Sequence, residues 1–337
     1  MTTDNSAGVQ AGTQASTDAN TDTNKDTNKD AKKSGSLKVI YAAIVANLGI
    51  AVSKFIVAAI TGSAAMLAEG IHSAVDTGNE LLLLIGERNS AKPPDAKHPF
   101  GYGKELYFWA LIVALSVFSL GGGLSIYHGI DALRHPEPLQ DPTWNYAVLG
   151  VSALFEGYSW NVSRKALNKV KKPGASMWQA VHASKDASVF TVFIEDSAAL
   201  AGLVIAAAGI GLGQAFDNPS CDPAASVLIG LLLVGAAFTL ARETGGLLVG
   251  EGIGPDATRR VRAVFENDPA ILTVEKLMTM QLGPDDVLLT VAVQFRRGMR
   301  IDEVETAIER LEKSVAALYP SIQHIYFESA ALRSAMG

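Results

Sequence analysis

The sequence predicts an all-α transmembrane domain of six helices, residues 37–250, followed by a C-terminal α+β domain over 251–330. Three observations carry this. Of 337 residues, 48% are hydrophobic and only 18% charged, against about 25% charged in a soluble globular chain. Between 37 and 249 the apolar residues gather into long runs with hardly any ions. After Gly250 the pattern switches to short amphipathic periods.

The N-terminal segment 1–36 is rich in Thr, Asp, Asn and Lys and nearly free of large apolar side chains. Such a composition buries too little surface to offset the entropy of ordering, so a disordered tail is expected. The segment has no apolar core of a signal peptide, and its many Asp residues argue against a transit peptide. The single cysteine, Cys221, excludes an intramolecular disulfide and a cysteine zinc knuckle.

A bilayer core requires about 20 apolar residues per helix. Residues 37–60, 65–86, 105–130, 144–166, 188–213 and 224–249 meet that length, separated by Thr61-Gly62-Ser63, Pro93-Pro94, Pro136 to Pro142, Pro173-Gly174 and Asn218-Pro219. Positive charge falls on one side of these spans. Lys25 to Lys38, Arg88 to Lys104, Arg164 to Lys185, and Arg242, Arg259 and Arg260 occupy alternate flanks, and the three opposite loops carry only Arg134. By the positive-inside rule both termini are expected in the cytosol. A multi-pass protein of a bacterial inner membrane is the default expectation.

In the tail, Pro255 to Asn267 reads as a helix with proline in its first turn. Leu272–Gln281 and Val287–Phe295 read as strands around the turn Gly283-Pro284-Asp285-Asp286. Ile301, Val304, Ile308, Leu311, Val315 and Leu318 step by three or four along a helix, and Ile322–Phe327 closes as a strand. The order αββαβ suits helices on one face of a sheet. A core this small favours dimerisation.

An ionisable group inside a span is costly and marks a functional candidate. The second span holds Glu69, His72, Asp76 and Glu80 near one helical face. His72 and Asp76, at i and i+4, can address one ion at about 2.0–2.2 Å. The plainer reading is a polar pair bonding across helices. The fifth span adds Glu195 and Asp196 within the apolar run Val189–Ile205. Neighbours on a helix point about 100° apart, so one is expected as principal ligand and the other as partner of a polar group nearby. One nitrogen donor and three carboxylates suit a divalent ion, zinc among cobalt, manganese, iron and cadmium. Glu156 in the fourth span is a further polar point, lining the same cavity or pairing with a neighbour.

The segment Ala68-Glu69-Gly70-Ile71-His72-Ser73-Ala74-Val75-Asp76 resembles the second transmembrane helix of cation diffusion facilitators, and Lys97 to Glu105 resembles that family's cytosolic loop. Glu195-Asp196 and Ser125 to Ile130 resemble the zinc transporter nine-like branch. The resemblance implies a homodimer with ferredoxin-like C-terminal domains, exchanging a divalent metal, zinc foremost, for protons by alternating access. It implies His72, Asp76, Asp196 and Glu195 as ligands, the metal being substrate and no cofactor being needed. Val192 stands where the family's common pattern has histidine. In the loop, Asp95 and His98 match two ligands of a second metal site and Tyr102 replaces a third. With His324 the only tail histidine, a histidine-rich zinc cluster cannot form there. Lys104 matches a lysine that pairs with an acid after the sixth helix, and Glu251 is the expected partner. The expected partners are a divalent metal ion, membrane lipid and a second copy of the chain, with no nucleic acid. Two other readings remain: an intramembrane metal-dependent hydrolase, disfavoured by the absence of a His-Glu-x-x-His run, and a transport-inactive metal sensor or scaffold.

Overall fold

The computed structural model describes residues 47–136, 142–171 and 173–329. The expected disordered tail 1–36 and the start of the first span lie outside the described residues.

The first helix, α1, is described over Asn47–Thr61. After a two-residue break follows α2, Ala64–Ser90. Ser63 caps α2 by accepting from the Met66 amide. The cap is completed from afar: Asp222 accepts from Ser63 Oγ at 2.6 Å and from the Ala64 and Ala65 amides. Orphan amides at a helix start are thereby satisfied inside apolar surroundings, where no water serves them.

One continuous rod follows, α3 (Glu105–Ser116), a π-helical stretch Val117–Gly123 and α4 (Leu124–Arg134). The π stretch carries Gly121-Gly122-Gly123. At Gly122 a Cβ would lie 2.7 Å from Val234 Cγ2 and 3.0 Å from the Gly230 carbonyl. Only glycine permits so close an approach of backbones, a packing mode favoured in membranes. The remaining helices are α5 (Thr143–Val170), the short α6 (Met177–Ala183), α7 (Ala187–Phe216) and α8 (Cys221–Val249). The sequence did not signal α6, which a reciprocal Ser176–Gln179 capping box starts.

Each long helix starts and stops within a few residues of a stretch singled out in the sequence. Among the described residues, three helices are long and apolar enough to cross a membrane: Glu105–Arg134, Ala187–Phe216 and Cys221–Val249. α2 and α5, at 27 and 28 residues, reach about 40 Å but carry more polar side chains. Their interior faces hold the chemistry described below, while Leu154 and Tyr158 of α5 are about three-quarters exposed.

The C-terminal part runs α9 (Pro255–Glu266), β1 (Ile271–Gly283), β2 (Asp286–Phe295), α10 (Ile301–Leu318) and β3 (Ile322–Ser329). The sheet order is β1-β2-β3, with β1 and β2 antiparallel and β2 and β3 parallel. Alternation in β2 buries Val287, Leu289, Val291 and Val293 against Val261, Phe265, Leu311 and Val315 of the helices. The αββαβ order and α+β class are those expected from the sequence, and the pairing shows the sheet to be mixed.

Candidate metal site

The 3.6-residue period of α2 brings His72 and Asp76 to one face, His72 Nδ1 lying 3.2 Å from Asp76 Oδ1. His72 is buried and Asp76 nearly so. Neither ring nitrogen of His72 has a hydrogen-bond partner, nor has Asp76 Oδ1. The 3.2 Å contact is therefore a close approach without hydrogen-bond alignment. Buried polar atoms left in this state are rare and invite explanation.

On α7, Glu195 and Asp196 are both buried and diverge as adjacent helical residues do. Glu195 turns to α2, where Asn79 Nδ2 donates to its Oε1 at 2.7 Å. Asp196 turns to α5, accepting from Ser159 Oγ at 2.8 Å and more weakly from Ser163 Oγ at 3.5 Å. Trp160 beside them donates to Ser197 Oγ and stacks on Phe193. The sequence reading expected one acid of the pair to find a polar partner on a neighbouring helix; both do. Asp76 stands within electrostatic reach of Glu156, Glu195 and Asp196. Within the described residues, no three His, Cys, Asp or Glu side chains come close enough to hold an ion together. The structure thus brings together the α2 pair and places the two α7 acids on hydrogen-bonding side chains of α2 and α5.

The sequence reading overlooked Lys54. It lies in α1, fully buried, with Nζ 3.0 Å from Glu69 Oε2 and 2.7 Å from Ser73 Oγ. Its signal in the sequence is a lone cation in the apolar run Ala51 to Ala59. Asn79 and Ser159 were overlooked too, and there spacing gives no signal, because their partners are distant in sequence.

The cytosolic-loop candidates are arranged differently. Asp95 accepts from the Lys97 and His98 amides and from Tyr102 Oη at 2.6 Å. The Tyr102 hydrogen bond, foremost, holds its carboxyl down at about 2. His98 packs its ring on Tyr102. Tyr102, which replaces the family's third ligand, closes the loop on Asp95. The predicted Lys104–Glu251 pair is a correction: Lys104 Nζ approaches the Leu248 carbonyl at 3.4 Å and Met280 Sδ at 3.6 Å, whereas Glu251 pairs with Lys185 at 2.7 Å. The loop lies close against the β1–β2 turn at this point, since a Cβ on Gly103 would collide with the Leu282 carbonyl.

The family description "Cation efflux transmembrane domain" matches residues 40–249. The chain belongs to the cation efflux, or cation diffusion facilitator, family. It is 37% identical over 239 residues to the "Proton-coupled zinc antiporter SLC30A9, mitochondrial" of Xenopus laevis, covering 70% of this chain and 42% of that protein. The human protein of the same name is 35% identical over 263 residues, 77% of this chain and 46% of the relative. "Metal tolerance protein C4" of Arabidopsis thaliana is 28% identical over 310 residues, covering 80% and 68%. Within the cation efflux family the resemblance is therefore to the zinc transporter nine-like branch, and the family is one of transporters rather than enzymes. The chain spans less than half the length of the SLC30A9 relatives it matches.

Proposed function

We propose that this protein carries divalent metal ions, zinc first among them, out of the cytosol in exchange for protons, with His72, Asp76, Asp196 and Glu195 as ligands. The observation that carries the reading is the largely buried His72–Asp76 pair, whose ring nitrogens make no hydrogen bond, with Glu156, Glu195 and Asp196 within electrostatic reach. A divalent cation supplies the missing partner for both ring and carboxylate, and its charge offsets that of acids which hydrocarbon cannot otherwise accommodate. The names of the SLC30A9 relatives, proton-coupled zinc antiporters, support zinc and protons as the exchanged pair.

Competition between metal and protons explains the coupling. Metal binds ionised carboxylates and neutral imidazole, so each proton taken up at the site displaces the ion. In our reading α1, α2, the α3–α4 rod, α5, α7 and α8 form six spans over residues 37–250, with both termini cytosolic. Alternating access then moves α2 and α7 against their neighbours, trading the Asn79–Glu195 and Ser159–Asp196 hydrogen bonds for metal bonds. The α+β domain, residues 251–330, adopts a ferredoxin-like arrangement and joins two copies as a homodimer. Reconstitution tests the reading: purified protein in proteoliposomes under an imposed proton gradient should accumulate zinc and move protons oppositely. Zinc flux equal to that of empty liposomes would overturn it.

A further inference from the structure

Glu69 and His72 are spaced Glu-x-x-His on α2, an i, i+3 arrangement that puts carboxylate and imidazole in reach of one metal ion. Yet Glu69 is turned into an ion pair. Lys54 Nζ holds Glu69 Oε2 at 3.0 Å and Ser73 Oγ at 2.7 Å, and both charged side chains are fully buried. The other oxygen, Oε1, has no hydrogen-bond partner and is seated in the notch left by Gly202 of α7, where a Cβ would collide with it.

We propose that Lys54 determines the specificity of the metal site by holding Glu69 as its counter-ion, so that the ion meets one carboxylate of α2, Asp76, and not two. The inference rests on the metal-transport reading above. Its chemistry is that of a tethered cation. An ammonium in direct contact neutralises the Glu69 carboxylate, and a divalent ion gains little by competing for it. Removing the ammonium leaves a buried carboxylate uncompensated, a state that is strongly unfavourable. The carboxylate one turn from His72 then takes the metal itself as counter-charge. An added oxygen ligand favours ions that accept oxygen-rich, six-coordinate shells, such as Mn2+, over Zn2+, which is content with four ligands including nitrogen. Lys54 thereby keeps the donor set small and nitrogen-containing.

The test is the ratio of Zn2+ to Mn2+ affinity in the full chain, solubilised in detergent and titrated against a fluorescent indicator. Lys54→Met and Lys54→Gln should each shift the ratio towards Mn2+ by about tenfold or more, the scale of outer-shell changes at metal sites. Lys54→Met with Glu69→Gln, which removes both charges, should return the ratio to that of the wild type. A merely structural clamp predicts something else: lower thermal stability and equal losses for both metals. An unchanged ratio in either single variant overturns the proposal, and so does a double variant shifted as far as Lys54→Met. Lys54→Gln keeps a donor for Glu69 and Ser73, so it decides the matter if Lys54→Met fails to reach the membrane. Wild type that binds neither ion would instead remove the transport reading, and this inference with it.

Discussion

Two aspartate–histidine pairs stand in this molecule, and their difference separates a site from a loop. His72 and Asp76 approach to 3.2 Å inside the helices, and His98 and Asp95 to 3.4 Å in the segment between α2 and α3. The loop pair is about half exposed, and Asp95 is saturated by two amides and a phenol. In the α2 pair His72 is shut away from solvent and Asp76 mostly so, and neither imidazole nitrogen makes a hydrogen bond. Residue types and spacing are nearly the same. What differs is whether the protein itself satisfies the polar atoms, and only the pair it leaves unsatisfied has reason to wait for a ligand.

The sharpest way to break this comparison is to delete each pair. His72→Ala and Asp76→Ala should each lower zinc transport in proteoliposomes by at least about 100-fold, since losing a ligand exceeds the 10–100-fold typical of outer-shell losses. Asp95→Ala and His98→Ala should stay within about twofold of wild type, as exposed pairs contribute little. Comparable losses at both pairs would return the loop to the metal pathway. Zinc flux of wild-type size in either α2 variant would remove the α2 assignment.

A smaller contrast lies within α7. Asp196→Ala should be as severe as the α2 variants, since Asp196 stands four residues after Val192, where the family's pattern has its aspartate, whereas Glu195→Ala should leave a residual flux, its side chain leaving α7 about 100° away. Asn79→Ala serves as the control: if Glu195 works through its hydrogen bond from Asn79, Asn79→Ala should reproduce the partial loss. Full activity in Asp196→Ala with none in Glu195→Ala would exchange the two roles.

How much of this was legible in the sequence depends on the range of the interaction. Apolar run length located the long helices, and alternation in β2 marked the strand whose inward residues Val287 to Val293 form the core, because both signals are local. His72 and Asp76 share a helical face by spacing alone. The partners of Glu195 and Asp196 were not readable, lying 116 and 37 residues away in sequence and chosen by tertiary packing. The same holds for Asp222, which caps α2 from 159 residues away. The π-helical stretch was equally silent, since its glycines signal close packing only when α8 is known to lie against them. Lys54 is different: fifteen residues separate it from Glu69, and its position within an apolar run was itself a warning.

The corrected lysine partnership provides a weaker effect to measure. In a double-mutant cycle on the solubilised protein, Lys185→Ala and Glu251→Gln should couple by about 0.2–1 kcal/mol, the range for partly exposed ion pairs. Lys104→Ala and Glu251→Gln should show no coupling. Thermal unfolding monitored at constant detergent reads both cycles, and coupling confined to Lys104 would restore the pairing inferred from the sequence.

The smallest effect concerns the loop pair at low pH, where its satisfaction should become visible. The carboxyl of Asp95 is held at about 2, below its ordinary 3.8, chiefly by the Tyr102 hydrogen bond and then by the His98 amide. A depressed carboxylate contributes its stabilisation above the unfolded value and loses it as pH falls through the folded one. The loop should therefore stay closed above about pH 4 and open only as pH approaches 2. Tyr102→Phe removes the leading cause, so the folded value rises towards the ordinary one and opening should begin at higher pH. Pepsin, active across this interval, reports the change through cleavage near Phe100, with a free peptide as control for its own pH dependence. Wild type and Tyr102→Phe opening at the same pH would show that the phenol does not hold Asp95. The loop pair would then lose the internal partner that sets it apart from His72 and Asp76.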